Sequence, residues 1–374
     1  MTVADGLQTV PGHRRARVAR RLTIGSHEIG EDTCCYVVAE VGHNHGGKLK
    51  TCMELFRAAK ECGAHAVKLQ KRNNRTLYTK TAYTKPYENE NSYGPTYGAH
   101  REALEFGAAE YRELQQYCRS LGIDFFATAF DFDSADFLEA IGVPAYKIAS
   151  GDLKNTPLLR HVARFGKPMI VSTGGASDDD VTRAYDAVMP INRQLCLLQC
   201  TAEYPAEWKE LDLRVVSTFR DSFPDIVVGF SSHDNGIAMA VAAYVLGARV
   251  IEKHFTMNRA WKGTDHAFSL EPAGLRKMVR DLERTWLAMG DGQKKIYEAE
   301  KNPVMKMGKK IVAARSLPAG HVLTPDDVAL KSPGDGLPPY ELDNVIGFTL
   351  VQAVNEDDDI TYQILKKTQE LARS

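Results

Sequence analysis

The chain has 374 residues, 44% of them hydrophobic and 25% charged, enough for a large core with a second small domain beside it. A formal net charge of −1 gives no overall field to draw nucleic acid or an anionic membrane, so neither is expected as a partner. Seven cysteines fit neither a disulfide framework nor a structural zinc cluster, and no apolar run reaches the length of a membrane span, so reduced thiols in a cytoplasmic protein are expected.

A basic run at Arg14, Arg15, Arg17, Arg20 and Arg21 has no apolar signal segment after it, and residues 1–21 read as a disordered tail with the ordered fold beginning near Leu22. "CCYVVAEV" at 34–41 reads as a first buried strand. "TCMELFRAAKECG" at 51–63 reads as a helix, with Leu55, Ala58 and Ala59 on its apolar stripe and Gly63 ending it. "AHAVKLQ" at 64–70 is a second strand. The polar, aromatic connection over 71–108 is too long for an ordinary βα loop and points to a functional or oligomeric role. Strands at "IDFFATAF", "AYKIAS", "PMIVSTG", "QLCLLQC", "DIVVGFSS" and "RVIEKHF" then alternate with helices, the last being "EPAGLRKMVRDLERTWLAMG". Eight strand–helix units predict an α/β fold, a (β/α)8 TIM barrel over residues 22–290, in preference to a doubly wound open sheet. Residues 291–308 read as a polar linker, and 309–374 as a compact β-rich domain too small to be stable alone.

The C-terminal ends of barrel strands converge on one mouth. Glu40 and His43 follow the first strand, Lys68 and Gln70 end the second on one face, and Thr128 lies near the end of the third. Lys147 and Ser150 end the fourth, with Asp152 just beyond; Ser172 and Thr173 end the fifth, and Tyr204 follows the sixth. Ser231, Ser232 and His233 end the seventh, and Glu252 and His254 the eighth. His233 and His254 read either as a divalent-metal pair or as two substrate-binding histidines without metal, and imidazole suits manganese or zinc better than magnesium. Lys68 and Lys147 stand where strands bury their side chains and need anionic partners, for which a phosphate or a carboxylate serves. Ser150, Ser172 and Ser231 add donors for phosphate oxygens, although a lone serine in such a place is more often a cap or a turn. Neither a G-x-G-x-x-G nor a G-x-x-x-x-G-K-[ST] sequence occurs, which leaves a nicotinamide enzyme or an ATPase unsupported.

The segments "AEVGHNHGG" at 39–47, "VKLQK" at 67–71, "YKIASGD" at 146–152, "IVSTGG" at 170–175, "LQCTAEYP" at 198–205, "VGFSSHDNG" at 228–236 and "VIEKHFTMNRAWKGTDHAFSLEP" at 250–272 together resemble the sialic acid synthase (N-acetylneuraminate synthase) family. The resemblance covers residues 22–365. It implies a barrel with a C-terminal antifreeze-like (SAF) domain, in a domain-swapped homodimer where that domain covers the partner's site. It implies phosphoenolpyruvate and a sugar as substrates, and a divalent metal, manganese first, with magnesium, cobalt or zinc as alternatives. By the same resemblance His233 and His254 are the metal ligands, and Lys68, Lys147, Ser150, Ser172 and Ser231 surround phosphoenolpyruvate. Glu40 lies between the substrates, Asp265 contacts sugar hydroxyls, Glu252 is an acid–base residue and Tyr204 a pocket tyrosine. The catalytic set is then Glu40, Glu252, Lys68 and Lys147, and Thr128, Gln70 and Asp152 join the substrate-binding set.

Three departures stand out: Ala202 where the family has Ser or Asn, Asp152 where it has Glu, and Ser332 where bacterial enzymes for the unphosphorylated N-acetyl sugar have Arg. The 71–108 segment resembles the animal type, which acts on a 6-phosphorylated amino sugar; Lys71, Arg72 and Arg75 are then either ligands of that phosphate or part of a solvated loop. The first expectation is an N-acetylmannosamine-type aldose giving a free nonulosonic acid. The alternatives are the 6-phosphorylated sugar giving the 9-phosphate, or a legionaminic- or pseudaminic-type precursor. A pyruvate-dependent metal aldolase and a catalytically silent sugar-binding barrel are the readings from other classes.

Overall fold

The computed structural model describes residues 20–367; Arg14, Arg15 and Arg17 of the basic run lie outside them, with most of the segment expected to be a disordered tail. Arg20 is buried, donating to Glu31 Oε1 at 3.0 Å and to the Pro224 carbonyl at 2.9 Å. β1 (Arg21–Ile24) and β2 (His27–Gly30) form an antiparallel hairpin, an element absent from the expectations above, with Gly25 at φ +57° in its two-residue turn. His27 Nδ1 lies 2.9 Å from Asp124, the first residue of a barrel strand, so the hairpin packs at the end of the barrel away from the strand C-termini.

β3 (Tyr36–Gly42), β4 (Ala66–Lys71), β5 (Asp124–Ala129), β6 (Tyr146–Ile148), β7 (Met169–Ser172), β8 (Leu195–Cys200), β9 (Val227–Ser232) and β10 (Val250–His254) close in that order into a parallel barrel, β10 pairing with β3. Their runs are buried on both faces, as parallel strands under helices must be. α1 (Leu49–Glu61) follows β3. The connection after β4 holds three short helices, α2 (Asn74–Leu77), α3 (Lys80–Thr84) and α4 (Tyr97–Glu102). Then come α5 (Ala108–Leu121), α6 (Phe132–Ile141), α7 (Thr156–Ala163), α8 (Asp178–Val188), α9 (Val215–Ser222), α10 (Ala238–Val245) and α11 (Pro272–Met289). Asp131, Asn155 and Ser177 cap α6, α7 and α8 by accepting from backbone N–H groups of the first turn. Strand register aligns the polar residues in rows: His254 opposite Glu40, Glu40 opposite Lys68, Thr128 opposite Lys147, and Glu252 opposite Ser231.

The chain divides into two compact units, Met1–Gly290 and Asp291–Ser374. In the second, α12 (Glu298–Met307) occupies much of the segment that reads as a linker. β11 (Lys310–Ala313) pairs with β12 (Val328–Lys331), and β13 (Phe348–Leu350) with β14 (Leu365–Lys367), both antiparallel. Ile311, Leu317, Leu323, Val345, Leu350, Val354 and Ile360 form a separate small core. All seven cysteines are free. No helix among the described residues is long and apolar enough to cross a membrane.

Candidate active site at the mouth of the barrel

The strand ends surround a cavity of about 500 Å³. Glu40, Lys68, Gln70, Arg72, Thr128, Lys147, Ser150, Ser172, Tyr204, Ser231, His233, Glu252, His254 and Asp265 all line it, as does Ala202. Lys68, Gln70 and Arg72 follow the two-residue period onto the cavity side, while Lys71 points away and donates to Glu105 Oε2 at 2.9 Å. Two residues of the expected substrate-binding set stand elsewhere. Arg75 is carried outward on α2, exposed, with its guanidinium 5.6 Å from the centre of the Tyr83 ring. Asp152 closes a 3-10 turn whose Ser150 end faces the cavity, and it accepts from Asn155 Nδ2 at 3.3 Å.

The floor of the cavity is a buried network of two lysines and two glutamates. Lys68 Nζ lies 2.5 Å from Glu40 Oε2 and donates to Thr128 Oγ1 at 2.7 Å. Lys147 Nζ donates to Ser172 Oγ at 2.7 Å and stands 3.6 Å from Glu252 Oε1, which also accepts from Ser231 Oγ at 3.1 Å. Burial raises the Glu40 carboxyl above its ordinary value despite Lys68. Burial pushes Glu252 upward too, but Lys147 and Lys68 outweigh it and hold that carboxyl below its ordinary value. The two carboxyls therefore differ in proton affinity although both are buried.

The His233 and His254 ring centres are 5.4 Å apart, with the Tyr204 ring 4.1 Å from His233. Burial lowers both imidazoles to about 4, so both are neutral at neutral pH. His233 Nδ1 lies 2.8 Å from the Thr201 carbonyl, which only accepts; Nδ1 therefore carries the proton and Nε2 keeps a lone pair. His254 Nδ1 is buried without a hydrogen-bond partner, 3.8 Å from Asp265 Oδ2. This pair fits two nitrogen ligands of a divalent cation. No group of three or more His, Cys, Asp or Glu among the described residues forms a fuller cage, so water or substrate oxygens would complete the coordination.

Arg101, from α4, also lines the cavity and was not expected there. It lies far down the chain from β4, and no periodicity in the 71–108 connection aims it at the barrel. With neutral histidines, the lining cations Lys68, Arg72, Arg101 and Lys147 exceed the lining carboxylates Glu40, Glu252 and Asp265 by one.

Barrel and cavity together define an enzyme site for anionic small molecules beside a metal-competent histidine pair. Residues 55–294 match the NeuB family and residues 310–365 the SAF domain. The chain is 39% identical over 338 residues to the N-acetylneuraminate-9-phosphate synthase of Homo sapiens, covering 90% of this chain and 94% of that one. It is 36% identical over 327 residues to the N,N'-diacetyllegionaminic acid synthase of Legionella pneumophila, covering 86% and 92%. The crystal structure of N-acetylneuraminic acid synthetase from Leptospira borgpetersenii superposes with a TM-score of 0.68 at 29% identity, over 78% of this chain and 97% of that one. The chain belongs to the NeuB family, whose members condense phosphoenolpyruvate with an aldose, and it carries a C-terminal SAF domain.

Proposed function

We propose that the aldose is a 6-phosphorylated N-acylmannosamine, so that the products are a 9-phosphorylated nonulosonic acid and inorganic phosphate. Similarity to the human 9-phosphate synthase, over nearly the whole of both chains, moves the preference away from the free sugar first expected. The observation that carries the reading is the cationic surplus of the cavity, which leaves positive charge over after the Lys68–Glu40 and Lys147–Glu252 pairs are counted. In this reading C3 of phosphoenolpyruvate bonds to the aldehyde carbon, water adds at C2, and phosphate leaves by C–O cleavage. Lys147, Ser150 and Ser172 hold phosphoenolpyruvate through charge-assisted hydrogen bonds and fix the reacting carbons close together. Glu252, ionised and oriented by Ser231, takes the proton of the water. Glu40 and Gln70, joined by a 2.7 Å hydrogen bond, bind between the substrates. His233 and His254 would hold the divalent cation, manganese by preference, and the chemistry it supplies when bound is Lewis-acid polarisation of the aldehyde oxygen.

The test is kcat/KM for N-acetylmannosamine and its 6-phosphate, with phosphoenolpyruvate in excess and released phosphate as the readout. The expected result is a preference for the 6-phosphate and no product with pyruvate. A preference for the free sugar would restore the first expectation, and turnover of pyruvate would make the protein an aldolase.

A further inference from the structure

Two guanidiniums on the cavity wall share a single imidazole. Arg72 Nη1 lies 3.3 Å from His43 Nε2, and Arg101 Nη1 lies 3.3 Å from His43 Nδ1. A guanidinium only donates, and a neutral imidazole offers one lone pair. One of the two contacts therefore sets N–H against N–H. A protonated His43 would make both so, and burial together with the two arginines holds its pKa well below the ordinary value. Neither guanidinium forms an ion pair among the described residues.

What holds these cations is packing and neutral hydrogen bonds. Arg72 is buried, its guanidinium 3.6 Å from the centre of the Phe130 ring, and it donates to Gln70 Oε1 at 2.8 Å. Arg101 donates from Nε at 3.1 Å and from Nη2 at 2.8 Å to the Tyr97 hydroxyl. Arg72 is thus a buried and Arg101 a half-buried cation with no carboxylate in direct contact, Asp265 and Glu105 acting on them only from a distance, which leaves their donors available to an arriving anion. The two lysines of the cavity already face carboxylates, and the Lys147–Ser172 pair lies across β6 and β7, away from the β4 side where Arg72 emerges. Arg72 donates to Gln70, and Gln70 donates to Glu40, so the arginine wall connects directly to the centre of the site.

We propose that Arg72 and Arg101 together form the subsite for the sugar's phosphate, with Arg101 as the residue that sets the preference for a phosphorylated aldose. This rests on the phosphorylated-sugar reading above. Two planar forks from different elements suit a dianion with three acceptor oxygens, and the phosphate supplies the acceptors that His43 cannot.

The test uses the full-length chain and manganese, with phosphoenolpyruvate saturating while the sugar is varied and then itself varied at saturating sugar. It measures the ratio of kcat/KM for the 6-phosphorylated sugar to that for the free sugar, in wild type, Arg101→Gln and Arg101→Lys. The ratio is expected to fall by about 10- to 100-fold in Arg101→Gln, the loss of one charge-assisted contact, and by less in Arg101→Lys, which keeps the charge without the fork. The fall is expected mainly in KM for the phosphorylated sugar, with KM for phosphoenolpyruvate moving less. If the wild type favours the phosphorylated sugar and Arg101→Gln keeps that preference, the subsite is wrong and the substrate reading stands. If KM for phosphoenolpyruvate rises most, the arginines serve the other substrate. A wild type that favours the free sugar overturns both. Arg101→Lys decides the point should Arg101→Gln fail to fold, because an unchanged ratio there removes the need for the fork.

Discussion

Lys253 and Asp234 sit beside the two histidines in sequence, and their side chains are buried against each other. Lys253 Nζ donates at 2.6 Å to Asp234 Oδ1, at 2.6 Å to the Asp234 carbonyl and at 3.0 Å to Ser232 Oγ, tying the ends of β9 and β10 together. Lys253→Met would leave Asp234 buried without a counter-charge, an expected cost of about 3–5 kcal/mol in urea unfolding. A change below 1 kcal/mol, well under that range, would mean that water replaces the ammonium. The histidines themselves are expected to behave differently: His233→Ala and His254→Ala keep the barrel folded and abolish metal-dependent turnover. Calorimetric titration with manganese checks this, and unchanged affinity in both variants would remove the metal assignment. These positions were legible in the sequence because strand alternation and the barrel rule fix where a side chain at a strand end points. Arg101 was not legible, because its direction depends on how α4 folds back over the mouth. Arg75 illustrates the converse: closeness in sequence to β4 made it a candidate, and one short helix turned it outward.

At the scale of elements, the long connection is held to the barrel by backbone fit as well as by side chains. Gly47, in the turn between β3 and α1, has φ +72°, and a Cβ there would lie 2.2 Å from the Ala103 carbonyl oxygen, just past the end of α4. The "HNHGG" stretch thus has a packing reason for its second glycine: α4 approaches too closely for any side chain. Gly47→Ala is expected to cost about 1–3 kcal/mol by overpacking and to shift α4, raising KM for the sugar through Arg101. Denaturation and steady-state kinetics check the two parts, and a stable variant with unchanged KM would show that the turn yields without moving α4. The barrel strands were readable as short apolar runs, but α2 to α4 were not. Four to six residues cannot show a helical period or hold a helix without tertiary support, and α3 buries none of its residues. α12 also lacks buried residues; its start is marked only by Glu300 Oε2 accepting from the Tyr297 N–H at 2.8 Å, so no apolar stripe announced it in the linker.

On the scale of the whole molecule, the two units have separate cores, and they differ in how well each supports itself. The barrel core is assembled from residues between Leu22 and Leu282. The second unit has a core of a few apolar side chains, and its fully buried Asp327 accepts from Arg315 Nη2 at 2.7 Å, Thr324 Oγ1 at 2.6 Å and the Thr324 N–H at 2.9 Å, with His321 Nε2 at 2.8 Å. A core of that size is marginal alone and gains from packing against another surface. Tyr204, meanwhile, lines the cavity and is 55% exposed, so the mouth is open to water at a point where the condensation needs water controlled. The family resemblance implies that two chains pair with each second unit over the other's cavity, and such pairing would give the small unit a surface and the mouth a cover. The intact protein is therefore expected to sediment as a dimer, and deletion of residues 309–374 to impair condensation far more than it impairs cooperative melting of the barrel. A monomer at assay concentration with full activity would contradict the exchanged arrangement. A truncated chain that no longer melts cooperatively would show instead that the barrel depends on the second unit for its own stability.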